Sequence, residues 1–395
     1  MTTLISFLGT GLKDQNGKSR GYQETTYRLD GVDYPQKYVS ISLIKAIKPN
    51  KVILLGTTGS VWDVFLEKGG DSGLEQEWLS LSEKVEEVRV TKQDLEPFEL
   101  YLSEQYQAQV KCVLIPYARK LAEQVEVLSV IAENLADNEN VVLDVTHGFR
   151  HLPMLALVAS RFLKTIKNIN VQNIYYGAFD MKDEDGTCPI IDVNGMLSML
   201  DWIDALNTFD KDGDYGVFFE LLVKEGIEQS SADLLRQASF YERTTNASNA
   251  KQKLDTIFKE LNAFDDSPLF NLFKPQLTKR LQWFKKSNRG LREQELAKEY
   301  LNRRDYVRAV VFAMEGMISA KVFSEKQDEN RYEDREEARS TLREADGFKF
   351  LSNIRNALVH GLGNQNKDIK RVLDKESSIQ QSLKKRFSNL LDNKK

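Results

Sequence analysis

The 395-residue sequence holds only two cysteines, Cys112 and Cys188, and three histidines. That excludes a disulfide framework, and Cys112 lies in the apolar run from Val110 to Pro116, where a thiol behaves as a small buried hydrophobe. Cys and His are absent at metal-ligand spacing, so no zinc site is expected. No run approaches the roughly 18 apolar residues of a membrane span. The opening segment, Met1 to Thr10, has no basic stretch before a long apolar one, so it reads as a first strand and not as a signal peptide. A cytoplasmic, reducing setting is expected. The P-loop pattern is missing, and Gly9-Thr-Gly11 runs into Leu12-Lys13-Asp14, so the dinucleotide fingerprint fails at its third glycine. The acidic turn Asp210 to Asp214 lacks the glutamate of a calcium loop, because Leu221 stands at the twelfth position, and it reads as a turn between helices. With a net charge of −4, the chain does not coat nucleic acid by bulk charge.

What is present is ordinary globular material: 41% hydrophobic, 29% charged and 10% aromatic residues, enough to build real cores. The length exceeds what one core usually organises, so two or three units are expected. Short apolar runs predict strands over residues 3–8, 51–55, 110–115, 141–145, 171–176 and 188–193. Helical patterns between them, over residues 37–47, 117–136 and 152–166, imply an α/β, Rossmann-like domain with a parallel-sheet core. After residue 195 the strand signal ends and the pattern becomes all-α, broken by a polar stretch from Ser324 to Ala338. The expected division is 1–195 as an α/β domain, 196–285 as a helical connector and 286–395 as a C-terminal helical domain.

Three strand ends carry small, hydroxyl-bearing, glycine-containing turns: Gly9-Thr10-Gly11, then Gly56-Thr57-Thr58-Gly59-Ser60, then Asp144-Val145-Thr146-His147-Gly148-Phe149-Arg150. In an open parallel sheet, ligands bind outside the carboxyl ends of the strands. Glycine lets a ligand approach the backbone, hydroxyls bind phosphate or ribose, and Arg150 suits a phosphate or a base. The expected ligand is phosphate-rich and nucleotide-like. It would be held by Gly9, Thr10, Gly11, Thr57, Thr58, Gly59, Ser60, Thr146, His147, Gly148 and Arg150.

The third histidine ends Ile354-Arg355-Asn356-Ala357-Leu358-Val359-His360-Gly361. On a helix, Asn356 and His360 share a face, and Arg355 is long enough to join them. A proton-handling imidazole and a guanidinium are the two functions that metal-free RNA cleavage needs. The end of a helix suits His360 to the role of acid. Asn271 to Arg308 adds 11 Lys or Arg against 4 Asp or Glu, interleaved with Phe273, Trp283, Phe284 and Tyr300. That mixture fits either a single-stranded RNA path or an amphipathic helical core.

Asp144-Val-Thr-His-Gly148 resembles the D-x-T-H-G motif of CRISPR-associated CARF–HEPN ribonucleases of type III systems. Phe7-Leu-Gly-Thr-Gly11, Tyr22-Gln-Glu-Thr-Thr-Tyr27 and Leu54 to Asp63 add to that likeness, although the polar residues from Leu12 to Gly21 make a longer interval than the family pattern. Arg355 to His360 resembles the R-x(4–6)-H signature of HEPN domains. The resemblance implies a CARF sensor of cyclic oligoadenylate, with cyclic tetra-adenylate as the preferred ring and no other cofactor. It also implies a homodimer and a HEPN endoribonuclease that cuts single-stranded RNA, spares DNA and leaves a 2′,3′-cyclic phosphate, with Arg355, Asn356 and His360 catalytic and Glu315 either orienting Arg355 or forming a structural salt bridge. The alternatives are a non-catalytic regulator and a sensor that cleaves its own ring, with Thr10, Thr57 or Thr146 positioning it.

Overall fold

A computed structural model describes residues 1–11, 21–361 and 367–391. The polar interval expected to shape the rim of the strand-end site falls mainly on residues 12–20, outside the described residues. The chain divides into two units, Met1–Leu197 and Ser198–Lys395.

Among the described residues the first unit is built on eight strands: β1 Thr2–Leu8, β2 Thr25–Leu29, β3 Val32–Gln36, β4 Lys51–Gly56, β5 Gln109–Leu114, β6 Asn140–Asp144, β7 Asn170–Gly177 and β8 Cys188–Asp192. Their order across the sheet is β3-β2-β8-β7-β6-β1-β4-β5. From β7 to β5 every pair is parallel. The expected parallel core is therefore present, but the sheet as a whole is mixed, because β3 runs antiparallel to β2 and β8 antiparallel to β7. Central strands bury both faces. Leu4 and Leu8 of β1 join Val39, Leu43, Leu81, Leu95 and Phe98 on one side, and Ile5 and Phe7 join Val127, Ile131, Ala156 and Leu163 on the other. That double burial is why these strands read as unbroken apolar runs.

The sheet order fixes the site. β1 lies between β6 and β4, with Leu8 paired to Gly56 and Ser6 to Asp144. The three glycine-containing turns therefore leave neighbouring strands at the same edge.

The second unit is all helix, and one core runs from Trp202 to Leu391. Side chains of the expected connector, such as Trp283 and Phe284, and of the expected terminal domain, such as Phe312 and Phe387, belong to that same core. Asn288 and Asp305 cap their helices by accepting from the amides of Leu291 and Arg308 at 2.8 and 3.0 Å, each such cap contributing about 1 kcal/mol. Helices Arg289–Asn302 and Tyr306–Ser324 cross with backbones nearly touching: a Cβ on Gly290 would lie 2.9 Å from the Ala320 amide, and one on Gly316 3.1 Å from that of Gln294. The polar stretch from Ser324 to Ala338 is not a simple interruption, since it carries most of helix Tyr332–Leu342. Arg335 is buried there, bonded to Ser319 and to the Glu329 carbonyl and paired with Glu315.

Candidate ligand site and candidate catalytic face

Asp144, the last residue of β6, is fully buried. Its carboxylate accepts from Ser6 Oγ of β1 at 2.7 Å and from the Thr146 amide at 3.0 Å. Burial raises its pKa, opposed by the bonds from Thr146 and Ser6. The group thus spends its bonding inward, joining the β6 turn to β1. Thr146 Oγ1 accepts from the Gly177 amide at 2.8 Å, which adds β7 to the same lattice.

His147 is also interior. Its Nε2 accepts from the Val39 amide at 3.4 Å, at the start of helix Val39–Ile47, and Tyr22 lies against its ring with centroids 4.1 Å apart. Burial lowers its pKa to about 3, so it is neutral at ordinary pH. This placement makes His147 a support beneath the turn. Thr57 and Ser60 are turned inward as well: Ser60 Oγ accepts from the Thr57 amide at 2.8 Å and donates to the Leu8 carbonyl at 2.7 Å, and Trp62 Nε1 donates to the Thr57 carbonyl. The amide of Val61 donates to the Gly9 carbonyl at 2.9 Å, a second tie between the β4 and β1 turns.

The residues left partly or fully exposed are Thr10, Gly11, Thr58, Gly59, Thr146, Gly148 and Arg150, of which Thr146 spends its hydroxyl on the Gly177 amide. Gly9 is buried under them, and no side chain fits there: a Cβ would sit 2.3 Å from Tyr22 Oη and 2.7 Å from the Gly148 amide. Gly148 has φ +109°, a conformation L side chains rarely adopt. The sequence-expected residues thus converge as a group but divide into an outward set and an inward set of Gly9, Thr57, Ser60 and His147.

In the helical unit, Arg355, Asn356 and His360 lie on helix Asp346–His360, whose Phe348, Leu351, Ile354 and Ala357 face the core. Arg355 Nη2 and Nε donate to Asn356 Oδ1 at 2.7 and 3.1 Å. Those two side chains form one unit, Arg355 half-buried and Asn356 exposed. His360 is exposed at the last helical position, with Gly361 at φ +77° ending the helix. Glu315 does not orient Arg355. It pairs with Arg335 and Arg339, both contributed by the helix that replaces the expected polar interruption. Phe273, Trp283, Phe284 and Tyr300 are buried in the core, so the basic stretch from Asn271 to Arg308 offers no stacking surface from these rings. Among the described residues no group of three or more His, Cys, Asp or Glu is placed to hold a metal ion, and no helix is long and apolar enough to cross a membrane.

Residues 3–180 match the family described as CRISPR system endoribonuclease Csx1, CARF domain. That match lies within the first unit and is a likeness to a CARF domain. CRISPR-associated protein MJ1674 of Methanocaldococcus jannaschii is 26% identical over 303 residues, covering 71% of this chain and 47% of that protein, so the chain spans about half the length of this curated relative. Enterococcus italicus Csm6 bound to cyclic hexa-2′-fluoro-hexa-dAMP aligns over 100% of this chain and 95% of its own, at 11% identity and a TM-score of 0.39. At that level the likeness carries no weight for either unit.

Within the first unit, two site residues escaped the sequence reading. The Tyr22 hydroxyl lies against the backbone of Gly11, Gly148 and Gly9, joining two of the turns from below, and its pKa is raised, burial outweighing those contacts. Tyr117, after β5, sets its hydroxyl 2.8 Å from where a Gly59 Cβ would lie. Its ring carries Arg119 on one face at 4.8 Å and approaches Phe149 at 5.6 Å. Phe149 stacks on His151, and His151 Nε2 lies 3.1 Å from the Tyr117 carbonyl oxygen. The signal for Tyr22 was present in Tyr22 to Tyr27. For Tyr117 it was only an aromatic two residues past an apolar run.

Proposed function

We propose that this chain is a cyclic oligoadenylate-activated, metal-independent endoribonuclease of type III CRISPR antiviral defence. Residues 1–195 act as the CARF sensor, 196–285 as a connector and 286–395 as a HEPN ribonuclease domain. The observation that carries the reading is the conjunction of a Csx1-type CARF match over residues 3–180 with a half-buried Arg355 bonded to an exposed Asn356 and an exposed His360 on one helix.

Thr10, Gly11, Thr58, Gly59, Thr146, Gly148 and Arg150 receive the phosphates and riboses of the ring. Gly9, Thr57, Ser60 and His147 hold the turns in place. Tyr117, Phe149 and Arg119 beside them suit an adenine, through stacking and cation–π contact. Cyclic tetra-adenylate is the preferred ring.

A cyclic ligand with repeated phosphates suits a two-fold dimer. Helix Leu152–Lys167 supports one: Met154, Val158, Phe162 and Ile166, four residues apart, are 73, 56, 37 and 49% exposed along one stripe of the helix. Such a stripe is what a second copy covers.

For cutting, two copies of the HEPN motif face one RNA. The RNA 2′-hydroxyl gives its proton to solvent water as its oxygen attacks the adjacent phosphorus, the P–O5′ bond breaks, and His360 supplies a proton to the departing 5′-oxygen. The products are a 2′,3′-cyclic phosphate and a 5′-hydroxyl. Arg355, held by Asn356, stabilises the charge that builds on the phosphate. DNA lacks the nucleophile. Binding of the ring shifts the population toward the competent dimer.

The test is cleavage of fluorescent single-stranded RNA in EDTA, with and without cyclic tetra- or hexa-adenylate, comparing wild type with His360→Ala. Ring-dependent cutting lost in the variant is the expected result. Cutting unchanged in the variant removes His360 from the chemistry. Ring binding without cutting turns the reading toward a regulator.

A further inference from the structure

The helix that carries Arg355, Asn356 and His360 presents a longer polar edge than those residues account for. Lys349, Asn353, Asn356 and His360 are all exposed and are spaced by four, three and four residues. At 100° per residue they fall within one narrow stripe, and the stripe runs about 16 Å from Lys349 to His360. Its far end opens on a pocket. Lys349, Phe350 and Asn353 form one wall, and Lys385, Arg386 and Asn389 of helix Glu376–Leu391 form the other. The Arg386 guanidinium lies over the Phe350 ring at 4.2 Å, which fixes its plane and leaves its N–H edge for an acceptor. Asp346 and Asp368 also line this pocket, so its three cations are only partly offset. Lys349 and Lys385 stand in no ion pair among the described residues.

We propose that this pocket is a backbone subsite for single-stranded RNA, a few nucleotides from the scissile phosphate. Lys349 and Lys385 receive phosphate oxygens, and Arg386, flattened on Phe350, takes a phosphate edge-on or a base on its open face. Asn353 bridges the subsite to Asn356 along the stripe. The proposal rests on the ribonuclease reading for its direction along the RNA, but its binding component stands apart from chemistry. It predicts that cleavage depends on RNA length: a substrate too short to reach from His360 to Lys349 loses the contacts.

The experiment uses the full chain with His360→Ala, which holds RNA uncut, and a labelled single-stranded RNA followed by anisotropy across a salt series. Adding Lys349→Ala and Lys385→Ala should weaken binding and flatten the slope of log affinity against log salt by about 1.4, the loss of two phosphate contacts. The Lys349→Arg and Lys385→Arg pair should retain the slope, which separates lost charge from lost folding. In the cutting-competent chain, the alanine pair should raise KM for a long RNA and leave a dinucleotide unaffected. An unchanged slope with the alanine pair overturns the subsite even where His360-dependent cutting stands. A flattened slope in a chain that cuts nothing supports the subsite and removes the ribonuclease reading instead.

Discussion

The two candidate sites are constructed in opposite ways. At the strand ends, the residues that face a ligand rest on a layer of buried polar bonds: Asp144 to Ser6 and Thr146, Ser60 to Leu8 and Thr57, and His147 to Val39. On helix Asp346–His360 the polar groups stand on the outside, and the only bonds described within the triad are those between neighbours Arg355 and Asn356. The first arrangement is preorganised by its own unit, so its geometry survives without ligand. The second has no such floor beneath His360, and a second copy of the motif is what would complete it. The proposed sensing site thus lies where the fold is stiff, and the proposed cutting site where it is open to alignment.

The largest effect that separates the two is on activity. His360→Ala should lower RNA cleavage by about 10²- to 10⁴-fold, while thermal unfolding shifts little because the side chain is exposed. Asp144→Ala should do the reverse: it strands the Ser6 hydroxyl and the Thr146 amide, costs about 4 kcal/mol in urea unfolding, and abolishes ring binding. If Asp144→Ala binds the ring with unchanged affinity, the inner layer does not set the site's geometry.

Acid and base should also act in opposite directions on the two units. His147 has a folded pKa of about 3, below its ordinary 6.5, so stability from its neutral burial is present above pH 6.5 and is lost as pH falls toward 3. Glu242, fully buried in the helical unit, is pushed up from 4.5 to about 7, chiefly by burial and against the pull of Arg303 and of Tyr300, whose hydroxyl donates to it at 2.9 Å. The folded unit therefore holds a proton that the unfolded chain releases, and stability falls as pH rises from 4.5 through 7, by about 3 kcal/mol. Glu242→Gln should remove that loss, measured as the difference in unfolding free energy between pH 5 and pH 8. A difference that does not vary with pH would show that Glu242 is not the titrating group.

The smallest effect tests the division of the β4 turn. Thr58→Ala should change stability by under about 0.5 kcal/mol and weaken ring binding, whereas Ser60→Ala should cost about 1–3 kcal/mol through the unpaired Thr57 amide. Equal effects from both would erase the distinction between outward and inward residues.

The sequence carried the parallel core plainly, because strands buried on both faces become apolar runs with no competing period. The β2–β3 hairpin escaped because Val32 to Gln36 is largely exposed and contains Pro35, which suits an edge strand and breaks the pattern. Helix Lys92–Tyr106 was hidden by its internal Pro97, although Thr91 and Asp94 form a capping box that marks its start. Helix Tyr332–Leu342 was invisible to apolar periodicity since Arg335, its largest buried side chain, is held by ion pairs and hydrogen bonds. At the strand ends the right loops were legible, but which hydroxyls turn inward was not. Thr57 and Thr58 are chemically identical neighbours, and only the folded turn, which bonds Thr57 to Ser60 and Trp62, sets them apart.

The glycine crossing of helices Arg289–Asn302 and Tyr306–Ser324 has a mechanical consequence. Where two backbones touch at Gly290 and Gly316, neither helix has slack to slide: moving either by one residue puts a Cβ where only hydrogen fits. Shear is closed to that pair, and only turning as a single block remains. The helix bearing His360 packs against Tyr306–Ser324, so a movement of that pair as a block would carry Arg355, Asn356 and His360 with it.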